Sequence, residues 1–135
     1  MRWTRTSGLR TRARGQALVE FVIVAPIMLI LLLGILQFGI VLHDYISVTN
    51  AADAAARKAS VTATQGDAQS LVIATARSAA PDLKAANLGV SVSPGSPWSS
   101  GQDVTVTVSY PYTISILGIL VKSGNLQGTT VTRIW

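Results

Sequence analysis

The chain has 135 residues, with 11 Lys and Arg, 6 Asp and Glu, one His and no Cys, and its formal net charge is +5. The length allows at most one domain of ordinary size. The absence of cysteine excludes a disulfide, a thiol nucleophile and a Cys-ligated zinc site. A single histidine, His43, argues against a His-based metal site or a Ser-His-Asp triad, so we expect no metal, no other cofactor and no catalytic residue.

The excess positive charge lies at the N-terminus. The first 15 residues contain no acidic residue and five arginines: Arg2, Arg5, Arg10, Arg12 and Arg14. From Gln16 onward six basic residues balance six acidic ones. A nucleic-acid-binding domain needs surplus basic residues on a folded face, so we expect no nucleic acid among the partners.

The first predicted element is a membrane helix. Phe21 to Leu42 is a run of 22 residues without a charge, and as a helix it would be about 33 Å long, enough to cross a hydrocarbon core of roughly 30 Å. A wholly buried core helix is the alternative, but the remaining ~90 residues could not surround it. Within the run, Pro26 either kinks the helix or is tolerated as transmembrane prolines often are, and Gly34 is tolerated in the same way.

The arginines predict the orientation of this helix. Because cytoplasmic flanks of membrane helices are enriched in Lys and Arg, residues 1–15 are expected in the cytoplasm and the C-terminal body outside it. The alternative is a cleaved secretory signal peptide, but the apolar run exceeds the usual length of about 7–15 residues. We therefore predict a single-pass protein of the inner or cytoplasmic membrane.

The boundary between the basic tail and the apolar run has a characteristic sequence. Arg14 to Phe21 reads RGQALVEF, in which a glycine is followed by four uncharged residues, a glutamate and an aromatic residue. This stretch resembles the prepilin processing site of type IV pilin-like proteins. The longer stretch to Ala59, with Pro26 and an alanine-rich helix, resembles the TadE-like family of tight-adherence (Flp-type) pilus assembly proteins, although Asp53 begins a departure from the family's usual Arg-Glu-Gly-Ala-Arg-like segment.

The resemblance implies a structural role. A prepilin peptidase would cut after Gly15, and Gly15, Gln16, Glu20 and Phe21 would form the processing site. The chain would be a minor pilin-like (pseudopilin) component, with the membrane, other pilin-like subunits and the pilus assembly complex as partners. The alternative is an uncleaved, membrane-anchored extracytoplasmic binding module. Asp67, Asp82 and Asp103 are isolated in the sequence, each at a turn or helix end where capping explains them, so we expect neither an enzyme nor a small-molecule substrate.

Glu20 has two possible roles. After cleavage the new α-amino group of Gln16 would lie one helical turn from Glu20 on the same face, where the carboxylate of the same or a neighbouring chain could pair with it. Alternatively, Glu20 lies at the membrane surface, where its carboxylate extends into water and has no protein partner. A carboxylate costs little free energy to place near the headgroups and more toward the bilayer centre.

Beyond the membrane, the helical pattern continues to about Thr64. Ala51, Ala55 and Ala59 recur every four residues and predict a packing seam against other pilin-like helices, or else reflect helix propensity alone. Gly66 is expected as the glycine after this helix and Asp67 as the N-cap of a second helix over 68–80.

The rest of the chain predicts a small sheet. Strands are expected at 90–92, 104–110 and 128–135, of which the second alternates strictly between valine and polar residues. The apolar segment 114–121 is expected either as a buried loop or short helix, or as an apolar patch that docks on a partner subunit or the outer leaflet.

These predictions together describe an α+β membrane protein with a long N-terminal helix, a second short helix and an antiparallel sheet of about three strands. Its regions are a basic leader (1–15), a transmembrane helix (16–43), alanine-rich helices (44–80) and a β-rich head (81–135).

Overall fold

The computed structural model of the chain describes residues 8–63 and 65–135, with side chains from Gly15 onward. The predictions for most of the basic leader, including the side chains of its five arginines, lie outside the described residues, as does Thr64.

The observed elements confirm the α+β prediction. In chain order they are α1 (Gly8–Thr62), α2 (Ala68–Ser78), a short 3-10 helix (Ala85–Asn87), β1 (Gly89–Ser93), β2 (Asp103–Ile116) and β3 (Ile119–Arg133). The three strands form one antiparallel sheet in the order β1-β2-β3.

The chain divides into two compact units, Met1–Leu36 and Gln37–Trp135. The described part of the first unit is entirely α1, which stays α-helical through Pro26. Its large apolar side chains are exposed, and none of the apolar window long enough to cross a membrane is buried. Within the described residues α1 is long and apolar enough to cross a membrane.

The second unit contains the hydrophobic core. Fully buried side chains come from every layer: alanines of α1, Val72 and Ala76 of α2, and Val104, Val106 and Val108 of β2. The valines alternate with half-buried polar residues because successive side chains of a strand point to opposite faces. The predicted alternation with a period of two is thus confirmed, and the apolar face of the sheet packs against the helices.

The sheet differs from the prediction at its far end. β2 and β3 are 14 and 15 residues long and are joined by Leu117 and Gly118, whose φ angles are 51° and 81°. Two positive φ values in a two-residue loop are typical of a type I′ hairpin turn. The expectation of a buried loop or short helix over 114–121 is therefore wrong, because this segment forms the tip of a hairpin.

The link between the helices also differs in detail. α1 ends at Thr62, so Gly66 lies too far along the chain to be the glycine that closes it. Asp67 does occupy the position before α2, but its side chain makes no capping hydrogen bond there. α2 ends at Ser78, two residues before the predicted end, and Pro81 follows it.

Candidate functional site

The predicted processing site lies within α1. Gly15, Gln16, Glu20 and Phe21 are all helical and exposed, and the Phe21 side chain is 70% exposed. A Cβ added at Gly15 would have nothing within 4 Å. The structure thus places the four residues on two neighbouring turns with open space around the glycine, where a second protein can reach them.

Gln16 and Glu20 are in direct contact. Gln16 Nε2 donates to Glu20 Oε1 at 3.2 Å, an exposed contact between residues one turn apart. Side chains at this spacing share one helix face. Cleavage of the preceding peptide bond would therefore leave the new amino group on the first turn, at the end of the helix where a carboxylate is favoured by the helix dipole.

Gly15 also weakens the helix locally. A glycine inside a helix costs about 1 kcal/mol relative to alanine because it loses more backbone entropy on folding. The peptide bond after Gly15 is thus held in helical form by a locally weakened turn.

The expected transmembrane residues are exposed, except for Gly34, which is half-buried. Phe21 and Leu42 mark the ends of the uncharged run and are 70% and 60% exposed. A Cβ at Gly34 would meet nothing within 4 Å, and the helix continues through Pro26. Within the described structure the surface of this run is available to lipid or to other helices.

The alanine seam is occupied by the chain itself. Ala51, Ala55 and Ala59 are each 0% exposed and lie in the core of the second unit. The sheet approaches α1 closely just before these alanines, since a Cβ added at Gly128 of β3 would lie only 2.9 Å from Thr49 Cα. In this structure the three alanines have no exposed surface to offer a partner helix.

A contact that the sequence did not predict joins α1 to β3. Thr130 Oγ1 donates to Asp53 Oδ1 at 2.6 Å, and the pair is partly buried. No periodicity links these residues, which are 77 positions apart. Asp53 begins the segment that departs from the family pattern, and its carboxylate here holds the chain's own sheet.

Two further acidic residues, Asp82 and Asp103, each lie near a basic side chain at the surface. Asp82 Oδ2 lies 3.6 Å from His43 Nε2, and both side chains are 61% exposed. Asp103 Oδ1 lies 3.7 Å from Arg133 Nε, both 65% exposed. Within the described ranges no three potential metal-ligating side chains come together. Because both partners of each pair are exposed, solvent screens the attraction between them, and the pairs contribute little to stability.

Comparison with known proteins gives one match. The family model described as TadE-like protein matches residues 15–57, about a third of the chain. Neither the curated proteins nor the solved structures gave a significant match. The matched residues cover the candidate processing site, the apolar run and the start of the alanine-rich segment. Residues 15–57 thus match the TadE-like family, as the sequence resemblance indicated.

Proposed function

We propose that the chain is a minor pilin-like (pseudopilin) structural component of tight-adherence pilus assembly, cut by a prepilin peptidase between Gly15 and Gln16. The observation that carries the proposal is the TadE-like match, which starts at residue 15 itself. The exposed helical geometry from Gly15 to Phe21 and the contact of Gln16 with Glu20 support it.

In this proposal the apolar run of α1 anchors the chain in the cytoplasmic membrane. The arginine-rich leader stays in the cytoplasm and the head lies outside, as the distribution of positive charge favours. Other pilin-like subunits and the assembly complex contact the exposed apolar helix. The chain acts by packing against these partners through the exposed apolar helix.

Substitution of Gly15 tests the processing step. Gly15→Leu places its side chain in open space, so the fold is expected to be unaffected while the peptidase loses its required glycine. Gly34→Leu is the matched control, because a Cβ there also meets nothing within 4 Å. With the peptidase co-expressed, we expect the Gly15 variant to keep the gel mobility of the precursor and the control to be shortened. Normal shortening of the Gly15 variant would contradict cleavage after Gly15. Precursor mobility of the control and of the unaltered chain as well would favour an uncleaved anchored module.

A further inference from the structure

The tip of the β2–β3 hairpin exposes apolar side chains that the fold does not use. Leu117, Ile119, Leu120 and Val121 are between 60% and 71% exposed. Leu117 has a φ of 51°, a conformation that a leucine adopts at a cost and that Asn, Asp or Gly would adopt more easily in a type I′ turn. Neither burial nor turn geometry therefore accounts for an apolar residue at the apex.

The direction of the hairpin is set by two contacts within the second unit. A Cβ at Gly128 would lie 2.9 Å from Thr49 Cα, and Thr130 Oγ1 lies 2.6 Å from Asp53 Oδ1. Two residues along β3 and four along α1 both correspond to about 6–7 Å. β3 and α1 therefore run in the same direction here, and the tip, which precedes Gly128, points toward the Gln37 end of the unit.

The hairpin is long enough to reach the apolar end of the helix. Leu120 precedes Gly128 by eight residues, about 26 Å of strand, whereas Leu42 precedes Thr49 by seven residues, about 10 Å of helix. The strand therefore reaches the level of Leu42 even when it inclines steeply to the helix axis. Under the proposed function, this level is where α1 leaves the bilayer.

The residues around the tip match the chemistry of a membrane surface. Lys122 is the only charged residue between Asp103 and Arg133, and it directly follows the apolar tip. Tyr112 lies further up the hairpin, where its ring covers Gly124, 3.0 Å from the position of a Cβ there. Lysine and tyrosine beside an apolar tip are typical of segments that lie at the headgroup level, with lysine drawn to anionic lipids.

We propose that the hairpin tip, Leu117 to Val121, inserts into the outer-leaflet interface of the same membrane that holds α1, with Lys122 among the headgroups. The tip stays at the interface because the free edges of β2 and β3 carry backbone groups that the hydrocarbon core could not satisfy. The inference rests on the membrane anchoring of the proposed function, and it gives the head a second attachment that fixes its orientation on the bilayer.

Single-cysteine labelling tests this directly, because the chain has no cysteine of its own. The full chain is reconstituted in phosphatidylethanolamine–phosphatidylglycerol vesicles that contain a lipid with a nitroxide at the headgroup boundary. An environment-sensitive fluorophore is attached to Leu120→Cys or to Val131→Cys. Val131 is the matched control because it is also on β3 and both side chains are 62% exposed, but it lies at the opposite end of the strand.

We expect the label at Leu120 to shift to shorter wavelength and to lose most of its fluorescence to the nitroxide, while the label at Val131 keeps its fluorescence. Lys122→Glu should reduce the quenching at Leu120. Equal, weak quenching at both positions would overturn the inference and would indicate that the tip contacts a protein partner instead of the bilayer. A third label, at Ile30→Cys in the apolar run, separates the two proposals. A shift of the Ile30 label to shorter wavelength without quenching at Leu120 removes only the hairpin inference. No shift at Ile30 removes membrane anchoring and, with it, the hairpin inference.

Discussion

Thr130 of β3 donates a 2.6 Å hydrogen bond to the carboxylate of Asp53 of α1. Asp53 lies inside the segment that matches the TadE-like family, and Thr130 lies outside it. The bond therefore connects the family segment to the part of the chain that the family model does not cover. Together with the close approach of Gly128 to Thr49, it fixes the position of the sheet on the helix.

Loss of this bond should weaken the head. We expect Thr130→Val to lower the free energy of unfolding by about 1–2 kcal/mol, because a bond to a charged acceptor is lost and the carboxylate stays partly buried. Urea unfolding of the full chain in detergent, followed by near-ultraviolet circular dichroism, measures it. Thr107→Val is the control, since Thr107 pairs with Thr129 through exposed hydroxyls and its loss should cost less than about 0.5 kcal/mol. Additive costs for Asp53→Ala and Thr130→Val in the double variant would contradict the coupling.

Gly128 should tolerate no side chain. In Gly128→Ala the new Cβ meets backbone atoms of Val48 and Thr49 at 2.9–3.1 Å, so helix and sheet must separate. We expect a loss of about 1–3 kcal/mol in the free energy of unfolding, as for other overpacked sites. Gly66→Ala, where a Cβ meets nothing within 4 Å, should leave stability unchanged. A Gly128 variant as stable as the Gly66 variant would show that the close approach does not exist.

Substitution of the buried alanines tests whether they pack inside the chain or against another subunit. Ala55 is 0% exposed and Ala54 is half-buried, so Ala55→Leu should lower the free energy of unfolding by about 3 kcal/mol and Ala54→Leu by much less. Thermal unfolding of both variants in detergent measures the difference. If Ala55→Leu instead kept full stability and abolished binding to other pilin-like subunits, the seam would lie between subunits.

Glu20 should act after cleavage. We expect Glu20→Gln to be processed normally but to be recovered poorly with the pilus assembly complex, because the new amino group of Gln16 loses its charged partner one turn away. Glu20→Asp keeps the charge and should retain part of the recovery. Processing is followed by gel mobility, and recovery by co-purification with the assembly complex. Equal recovery of the Gln variant and the unaltered chain would show that Glu20 has no such partner.

Much of the fold follows from local patterns. The alternating valines from Val104 to Val108 are periodic, and this period shows which face of the strand is buried. The apolar run of α1 is instead recognised by its length and its lack of charge. Ala51, Ala55 and Ala59 are buried in the chain's own core, whereas their spacing alone does not specify what packs against them. The close approach of Gly128 is to the backbone of Val48 and Thr49, within one turn before Ala51 in α1.

The hairpin could not be predicted in the same way. Its turn places Leu117 where Asn or Gly is usual, so the turn signal is missing from the sequence. In a segment of eight mostly apolar residues the sequence pattern is the same for a buried loop and for an exposed hairpin tip, so it does not distinguish them. The bond of Thr130 to Asp53 was equally hidden, because a contact across 77 residues depends on how the elements pack.

The central claim is that a prepilin peptidase removes the leader. Mass spectrometry of the N-terminal peptide of the protein, purified from membranes of the cell that produces it, tests this most directly. The account predicts a mature chain that begins at Gln16 and lacks all five leader arginines. A chain that retains its leader, or that begins at a site beyond the apolar run, would contradict it.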